Sequence, residues 1–260
     1  MGIRAGIHGH ICSRHRTLTA AAATVLLAGV LAPAGIGAAS AATPLYGPRA
    51  GHLKDSNWGG YVAQGSFTTI TGSWTEPHVT CNTTNDLFAP WVGIDGYGSQ
   101  SVEQTGVQTD CSSGSPVLSA WYEMYPAAPV YWNDPVSEGD SFTASVTTDG
   151  SGTYNLTLTD NTKGWTERTS QSIGGQNASA EAVIESPTSS YPSFGRLDFT
   201  NVTVNGAPFD AASPQPLTSG GYTPGPLRGG SFSMSPGGGS PAAQQHHSRP
   251  GDIRWGAPQA

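Results

Sequence analysis

The chain is 260 residues long, with 11 Lys plus Arg against 18 Asp plus Glu. That acidic balance argues against nucleic acid or an anionic membrane surface as a partner. Three cysteines and scattered histidines supply no obvious metal-ligand spacing, so neither a metal nor another cofactor is expected.

Residues 1–41 read as a secretory signal. Arg4, Arg14 and Arg16 form a basic n-region, Leu18 to Leu31 is an apolar run, and Ala39-Ser40-Ala41 is a small-residue cleavage pattern. The apolar run is shorter than the roughly 20 residues of a membrane span, and nothing later is long or apolar enough. The mature protein is expected to be secreted and extracellular, away from the membrane after signal cleavage, and monomeric. Removing the signal takes away three Arg and no acid, which leaves 11 − 3 = 8 basic groups and a formal charge of 8 − 18 = −10. With so few basic groups, positive self-repulsion stays small once carboxylates neutralise, which predicts tolerance of acid. Residues 42–56 follow as a linker or short processing segment.

Strand-like runs rich in Val, Thr, Tyr, Trp and Phe then recur at Gly59 to Val62, Thr69 to Trp74, Phe88 to Ile94, Val102 to Gln108, Leu118 to Tyr125 and Ser141 to Thr148. They continue at Thr153 to Thr159, Gly164 to Gln171, Ala180 to Glu185, Leu197 to Val204 and Gly230 to Met234. Turn clusters such as Asp149-Gly150-Ser151-Gly152 and Asn205-Gly206 separate them. No stretch keeps a 3.6-residue apolar period over three turns. Short strands of even spacing predict an all-β protein, one antiparallel β-sandwich of two long sheets over residues 57–235, of the concanavalin or lectin-like kind. After Met234 the apolar alternation stops, which predicts an incompletely closed sheet. Residues 236–260 form a Gly/Pro-rich tail expected to be disordered.

Cys12 leaves with the signal, and Cys81 with Cys111 reads as a disulfide in an exported chain. A loop of about 30 residues closed in this way contributes about 3 to 4 kcal/mol in the chain-entropy account. Two strand-like runs each hold a central polar residue, Gln104 in Val102-Glu103-Gln104-Thr105-Gly106-Val107 and Glu181 in Ala180-Glu181-Ala182-Val183. A carboxylate that takes a proton from water, facing an amide that donates to an oxyanion, suffices to hydrolyse a peptide. Alternation places Glu181 with Ser179, Val183 and Glu185 on one strand face, and Gln104 with Val102 and Gly106.

Six ordered motifs carry a family likeness: Asn57-Trp58-Gly59-Gly60-Tyr61, Gly72-Ser73-Trp74-Thr75-Glu76-Pro77, Trp91-Val92-Gly93-Ile94-Asp95-Gly96, Glu103-Gln104-Thr105-Gly106, Ala120-Trp121-Tyr122-Glu123-Met124-Tyr125-Pro126 and Ala180-Glu181. The series resembles the glutamic peptidases, the eqolisin family, in a bacterial-type secreted form. The resemblance implies an acid-acting endopeptidase on protein or peptide substrates, with a catalytic Gln104/Glu181 dyad and with Trp91, Asp95, Trp121 and Glu123 in or near the substrate cleft. The expected mechanism has Glu181 ionised near the ordinary Glu pKa of about 4.3 and activating a water held between it and Gln104 in an open groove. The competing readings are a secreted glycoside hydrolase pairing Glu181 with Glu123 or Glu103, and a carbohydrate-binding module using the tryptophans as a stacking platform. The lack of Gly-x-Ser-x-Gly disfavours serine hydrolysis, and the disulfide disfavours a cysteine nucleophile.

Overall fold

Alternation of apolar and polar residues dominates the mature sequence, and a period of two can bury only one face of each strand unless a second face is apolar as well. The computed structural model describes residues 57–237. The expected signal (1–41), linker (42–56) and all of the tail except Pro236 and Gly237 lie outside the described residues.

In chain order the strands are β1 (Trp58–Gln64), β2 (Thr69–Thr75), β3 (Val79–Thr80), β4 (Leu87–Asp95), β5 (Val102–Asp110), β6 (Val117–Tyr125), β7 (Val130–Tyr131), β8 (Ser141–Thr148) and β9 (Thr153–Asp160). They continue with β10 (Trp165–Ser172), β11 (Ser179–Glu185), β12 (Ser193–Phe194), β13 (Leu197–Val204), β14 (Ala207–Pro208), β15 (Gln215–Leu217), β16 (Tyr222–Pro224) and β17 (Phe232–Pro236). A single turn of 3₁₀ helix, Phe209–Ala212, is the only helix among the described residues. The site sheet runs in the order β15-β1-β11-β4-β5-β6-β7, and the back sheet β10-β9-β8-β2-β13-β17-β16 with β14 beside β13. All ladders are antiparallel. The two-sheet antiparallel sandwich expected from the sequence is what forms.

The core lies between the sheets. From the site sheet it takes Tyr61, Ala63, Phe88, Val92, Ile94, Val107, Ala120, Ala180, Ala182 and Ile184; from the back sheet Ile70, Trp74, Phe142, Ala144, Val146, Leu156, Leu158 and Phe199. Gly72 lets the sheets approach: a Cβ there would meet Val92 Cγ1 at 2.9 Å. The anticipated incomplete closure does not occur. The strand β17 sits between β13 and β16, and Phe232 and Met234 are buried, so the last apolar pair already completes the layer before the Gly-rich run begins. Cys81 and Cys111 form the expected disulfide, linking the residue after β3 to the residue after β5.

Candidate active site

The register of three neighbouring strands decides the geometry. Glu181 on β11 pairs with Gly93 on β4, Gly93 pairs with Gln104 on β5, and Gln104 pairs with Glu123 on β6. Directly opposed residues project to the same face of a sheet. The acid and the amide therefore stand on one face, two strand spacings or roughly 9.5 Å apart at backbone level, and the residue between them has no side chain. A Cβ at Gly93 would meet Trp91 Cζ3 at 2.9 Å and Gln104 Cβ at 3.1 Å. Gly93 is thus what leaves room between the two functional groups.

The next row on this face is Val183, Trp91, Gly106, Trp121 and Tyr131. Trp91 stands opposite Gly106, where a Cβ would lie 2.7 Å from Trp91 Cβ. Its indole Nε1 donates to Glu185 Oε2 at 3.0 Å, and its ring meets Trp58 edge to face with centroids 4.9 Å apart. Trp58, Val62, Ala89, Trp91, Val102, Trp121 and Val183 form a second apolar cluster on this outer face. Gln104, Glu123 and Glu181 are buried among these residues, with Gln104 and Glu181 at 0 % exposure. The open groove expected from the sequence is not seen: the acid and the amide are both buried.

Burial sets the electrostatics. Neither Glu181 carboxylate oxygen has a hydrogen-bond partner among the described residues, nor has Gln104 Oε1. Loss of water pushes the Glu181 carboxyl well above its ordinary value of 4.5; the nearby Ser179 hydroxyl and Tyr97 amide act the other way, and Asp95 and Glu103 reinforce the rise. The expectation of an ordinary, acid-range Glu181 is corrected on this ground. Glu123 is pushed up to about 9 by burial and by Glu185, against a hydrogen bond from Gln104 Nε2 at 2.5 Å. No strand of the site sheet carries Lys, Arg or His to offset these carboxylates.

Of the four residues anticipated around the dyad, Trp91, Trp121 and Glu123 share its face. Asp95 ends β4 and is fully engaged by backbone: Oδ2 accepts from the amides of Gln176 and Asn177, and Oδ1 from that of Ala178, each at 2.8 Å. Its own backbone is left-handed, with φ 67°, a conformation that costs a non-glycine residue about 1 to 2 kcal/mol. Three charge-assisted hydrogen bonds offset that cost. Because Gln176 to Ala178 lead directly into β11, Asp95 fixes the strand that presents Glu181. Sequence reasoning singled out neither Gly93 nor Glu185. Gly93 stood inside a quoted motif, but its place appears only once the register puts it between Glu181 and Gln104.

A family model described as the Peptidase A4 family matches residues 56–213. No curated protein matches. Among solved structures, scytalido-glutamic peptidase with a peptide-based transition state analog is 28 % identical, with a TM-score of 0.60, covering 70 % of this chain and 98 % of that one. The same peptidase with another transition state analog inhibitor gives 26 % identity and a TM-score of 0.59 at the same coverage. A member of the eqolisin family in complex with the tripeptide Ala-Ile-His gives 26 % and 0.56, again over 70 % and 98 %. The chain belongs to the Peptidase A4 family, the glutamic peptidases or eqolisins, and is a peptide-bond hydrolase.

Proposed function

We propose that Glu181 and Gln104 are the catalytic dyad of a secreted endopeptidase that works on protein and peptide substrates in mildly acidic solution. The observation that carries this reading is the row itself: Glu181 Oε1 and Oε2 and Gln104 Oε1 are buried and unpartnered on either side of a glycine. Buried polar atoms are nearly always hydrogen-bonded in proteins, so unpartnered acid and amide oxygens on residues flanking one glycine favour a polar reactant between them.

In the reaction, ionised Glu181 takes a proton from a water over Gly93, and that water attacks the scissile carbonyl carbon. The carbonyl oxygen becomes an oxyanion and accepts a hydrogen bond from the Gln104 side-chain amide. Neutral Glu181 then returns its proton to the leaving nitrogen as the C–N bond breaks. No acyl-enzyme forms. Because only the ionised form can act as the base, the raised Glu181 pKa moves the rising limb of activity upward in pH. Buried, uncompensated carboxylates weaken the fold toward neutrality, so the working window lies between these limits.

The glycoside hydrolase alternative lacks its second carboxylate. Glu103 faces between the sheets, on the side of β5 opposite Gln104, and Glu123 is bonded to Gln104. Trp58, Trp91 and Trp121, the tryptophans on this face, are buried and form no exposed stacking platform. The secreted state, the solitary subunit and the absence of nucleic acid or membrane partners belong to the same proposal, supported by the signal-like N-terminus and the acidic balance.

Mass spectrometry of fragments from an acid-denatured protein substrate tests reaction class and residues together. Wild type is expected to release internal fragments, Glu181→Gln almost none, and Gln104→Ala roughly 10²- to 10³-fold less, the usual effect of one lost oxyanion donor. Near-normal cleavage by either variant removes that residue from the mechanism.

A further inference from the structure

Further along β5 from Gln104, Gln108 repeats the same side chain on the same face. The register sets Gln104 opposite Glu123, Gly106 opposite Trp121 and Gln108 opposite Ser119, while Val107 turns into the core. Gln108 is 1 % exposed. Its Oε1 accepts from the Tyr131 hydroxyl at 3.0 Å, and its Nε2 is buried with no hydrogen-bond partner among the described residues. In the row between the two glutamines the Trp121 indole Nε1 is buried and unpartnered as well. Both nitrogens can only donate. Buried donors are nearly always paired, so two of them on one face mark a place for an acceptor.

Spacing and charge identify that acceptor. Side chains on one face of a strand recur every two residues, roughly 6.8 Å, and an extended peptide carries the carbonyls of one edge at the same repeat. The Gln104 amide nitrogen has two protons, so it can keep its bond to Glu123 Oε2 and still donate to a scissile carbonyl. A substrate lying along β5 then sets the carbonyl two residues from the cut in the Trp121 row. The carbonyl four residues from it, roughly 13 Å on, falls at Gln108. The two glutamines have side chains of equal length, and both are buried, so Gln108 is no harder for a substrate to reach than the dyad itself. No strand of this sheet carries Lys, Arg or His to balance an anion, and a neutral carbonyl needs no such balance.

We propose that Gln108 is a substrate-binding residue, donating through Nε2 to the backbone carbonyl four residues from the scissile bond, with the Trp121 indole donating to the carbonyl between. The inference rests on the Gln104/Glu181 reading and adds to it a requirement for an extended chain on one side of the cut. Tyr131 sets which end of the Gln108 amide is offered, because its hydroxyl occupies Oε1. Every peptide backbone supplies these carbonyls, so the contact selects substrates by length and extension. It forms in the ground state and the transition state alike, and therefore acts on KM more than on kcat.

The test takes one peptide that the wild type cleaves at a single bond and trims it residue by residue from each end, with kcat and KM measured at every length. For wild type, kcat/KM is expected to step up about three- to tenfold, mostly through KM, when the residue four positions from the cut is added on one side. That is the usual yield of one neutral hydrogen bond. Gln108→Met, similar in size and without a donor, is expected to show no such step. Nor is wild type on a long peptide in which a trans-alkene replaces that one amide, a comparison that needs no variant to fold. Each step is a ratio within one enzyme, so a variant that is merely less active still shows it. Absence of the step in wild type, a step of wild-type size in Gln108→Met, or a full step with the alkene peptide would overturn the proposal. Wild-type activity of Gln104→Ala on every peptide would instead overturn the dyad itself, so the two failures are distinct.

Discussion

The two sheets share strand length and antiparallel pairing and differ in what they do with their second face. On the back sheet β8 and β9 alternate, with Phe142, Ala144, Val146, Tyr154, Leu156 and Leu158 turned inward and Ser and Thr left partly exposed. On the site sheet all nine residues of β4 and all seven of β11 are buried. A sandwich needs one apolar face per sheet, so the second buried face is surplus to folding. It holds tryptophans around a line of carboxylates and one amide, a low-dielectric setting in which each polar atom matters more than it would in water. The back sheet turns one face to the core, and the site sheet buries a second face that the core does not need, the face on which the proposed dyad stands.

Two glycines test this division most sharply. A Cβ would meet a neighbour at 2.9 Å at Gly93 and at Gly72 alike, Trp91 Cζ3 in the first case and Val92 Cγ1 in the second. Overpacking of this kind typically costs about 1 to 3 kcal/mol of stability. Gly93→Ala also fills the gap between Glu181 and Gln104, and a displacement of about 1 Å at a reacting pair typically costs about 10² in rate. Urea titration should therefore show similar destabilisation of both variants. In the folded enzyme, kcat should fall about 100-fold for Gly93→Ala and stay near wild type for Gly72→Ala. Equal kcat in the two variants would mean that the outer face is not where the reaction occurs.

The next effect is on stability against pH. Glu76 and Glu103 are both pushed up to about 8, each mainly by burial; Trp74 Nε1 opposes this at Glu76 while Asp140 and Glu138 add to it, and Ser101 opposes it at Glu103 while Asp95 adds to it. Glu123 and Glu181 are raised as well. A carboxyl whose folded pKa is raised contributes fully below the unfolded value of 4.5, and that contribution is lost as pH climbs toward 8. Asp86 works in the opposite sense: burial raises its pKa, but hydrogen bonds from Ser190, Thr83 and Asn82 outweigh it, so its contribution disappears in stronger acid, below 3.8. Melting temperature should peak in mild acid and fall steadily toward pH 8. Glu103→Gln should flatten that fall by an amount on the order of a few kcal/mol without reducing kcat in mild acid, since Glu103 faces the core. A wild-type melting temperature that rises from pH 5 to 8 would contradict the assignment of these groups as buried and uncompensated.

Much of this division can be read before folding, and some cannot. The alternation in Thr69-Ile70-Thr71-Gly72-Ser73-Trp74 gives the back sheet's inward face directly, since Ile70, Gly72 and Trp74 are its buried members. The eleven strand-like runs all correspond to strands. The strands that were missed, β3, β7, β12, β14, β15 and β16, have two or three residues each, too few for any period to show. Period two also placed Glu181 and Gln104 on their faces correctly. It could not show that Gly93 separates them, because register is a property of strand pairs, nor that Glu181 is buried, which depends on neighbours from other strands. Asp95 was expected in or near the cleft; what local sequence does not announce is that its carboxylate holds the amides of residues 176–178, a long-range bond.

The smallest expected effect comes from one residue type placed on the two sheets. Thr157 lies on β9 opposite Ser145 and Arg168, on the partly exposed face of the back sheet. Its replacement by Ala removes a β-branched side chain from a wet surface, a change expected to cost less than about 1 kcal/mol and to leave kcat alone. Thr105 is fully buried on β5, and its hydroxyl donates to the Trp121 carbonyl at 2.8 Å. Thr105→Ala leaves that buried carbonyl short of a partner and opens a small void, which together should cost about 1 to 3 kcal/mol. Guanidinium titrations of the two variants in mild acid measure the difference. If Thr157→Ala proved as costly as Thr105→Ala, the back sheet's outer face would be covered by something in solution, and the contrast between one wet face and two buried ones would no longer describe the molecule.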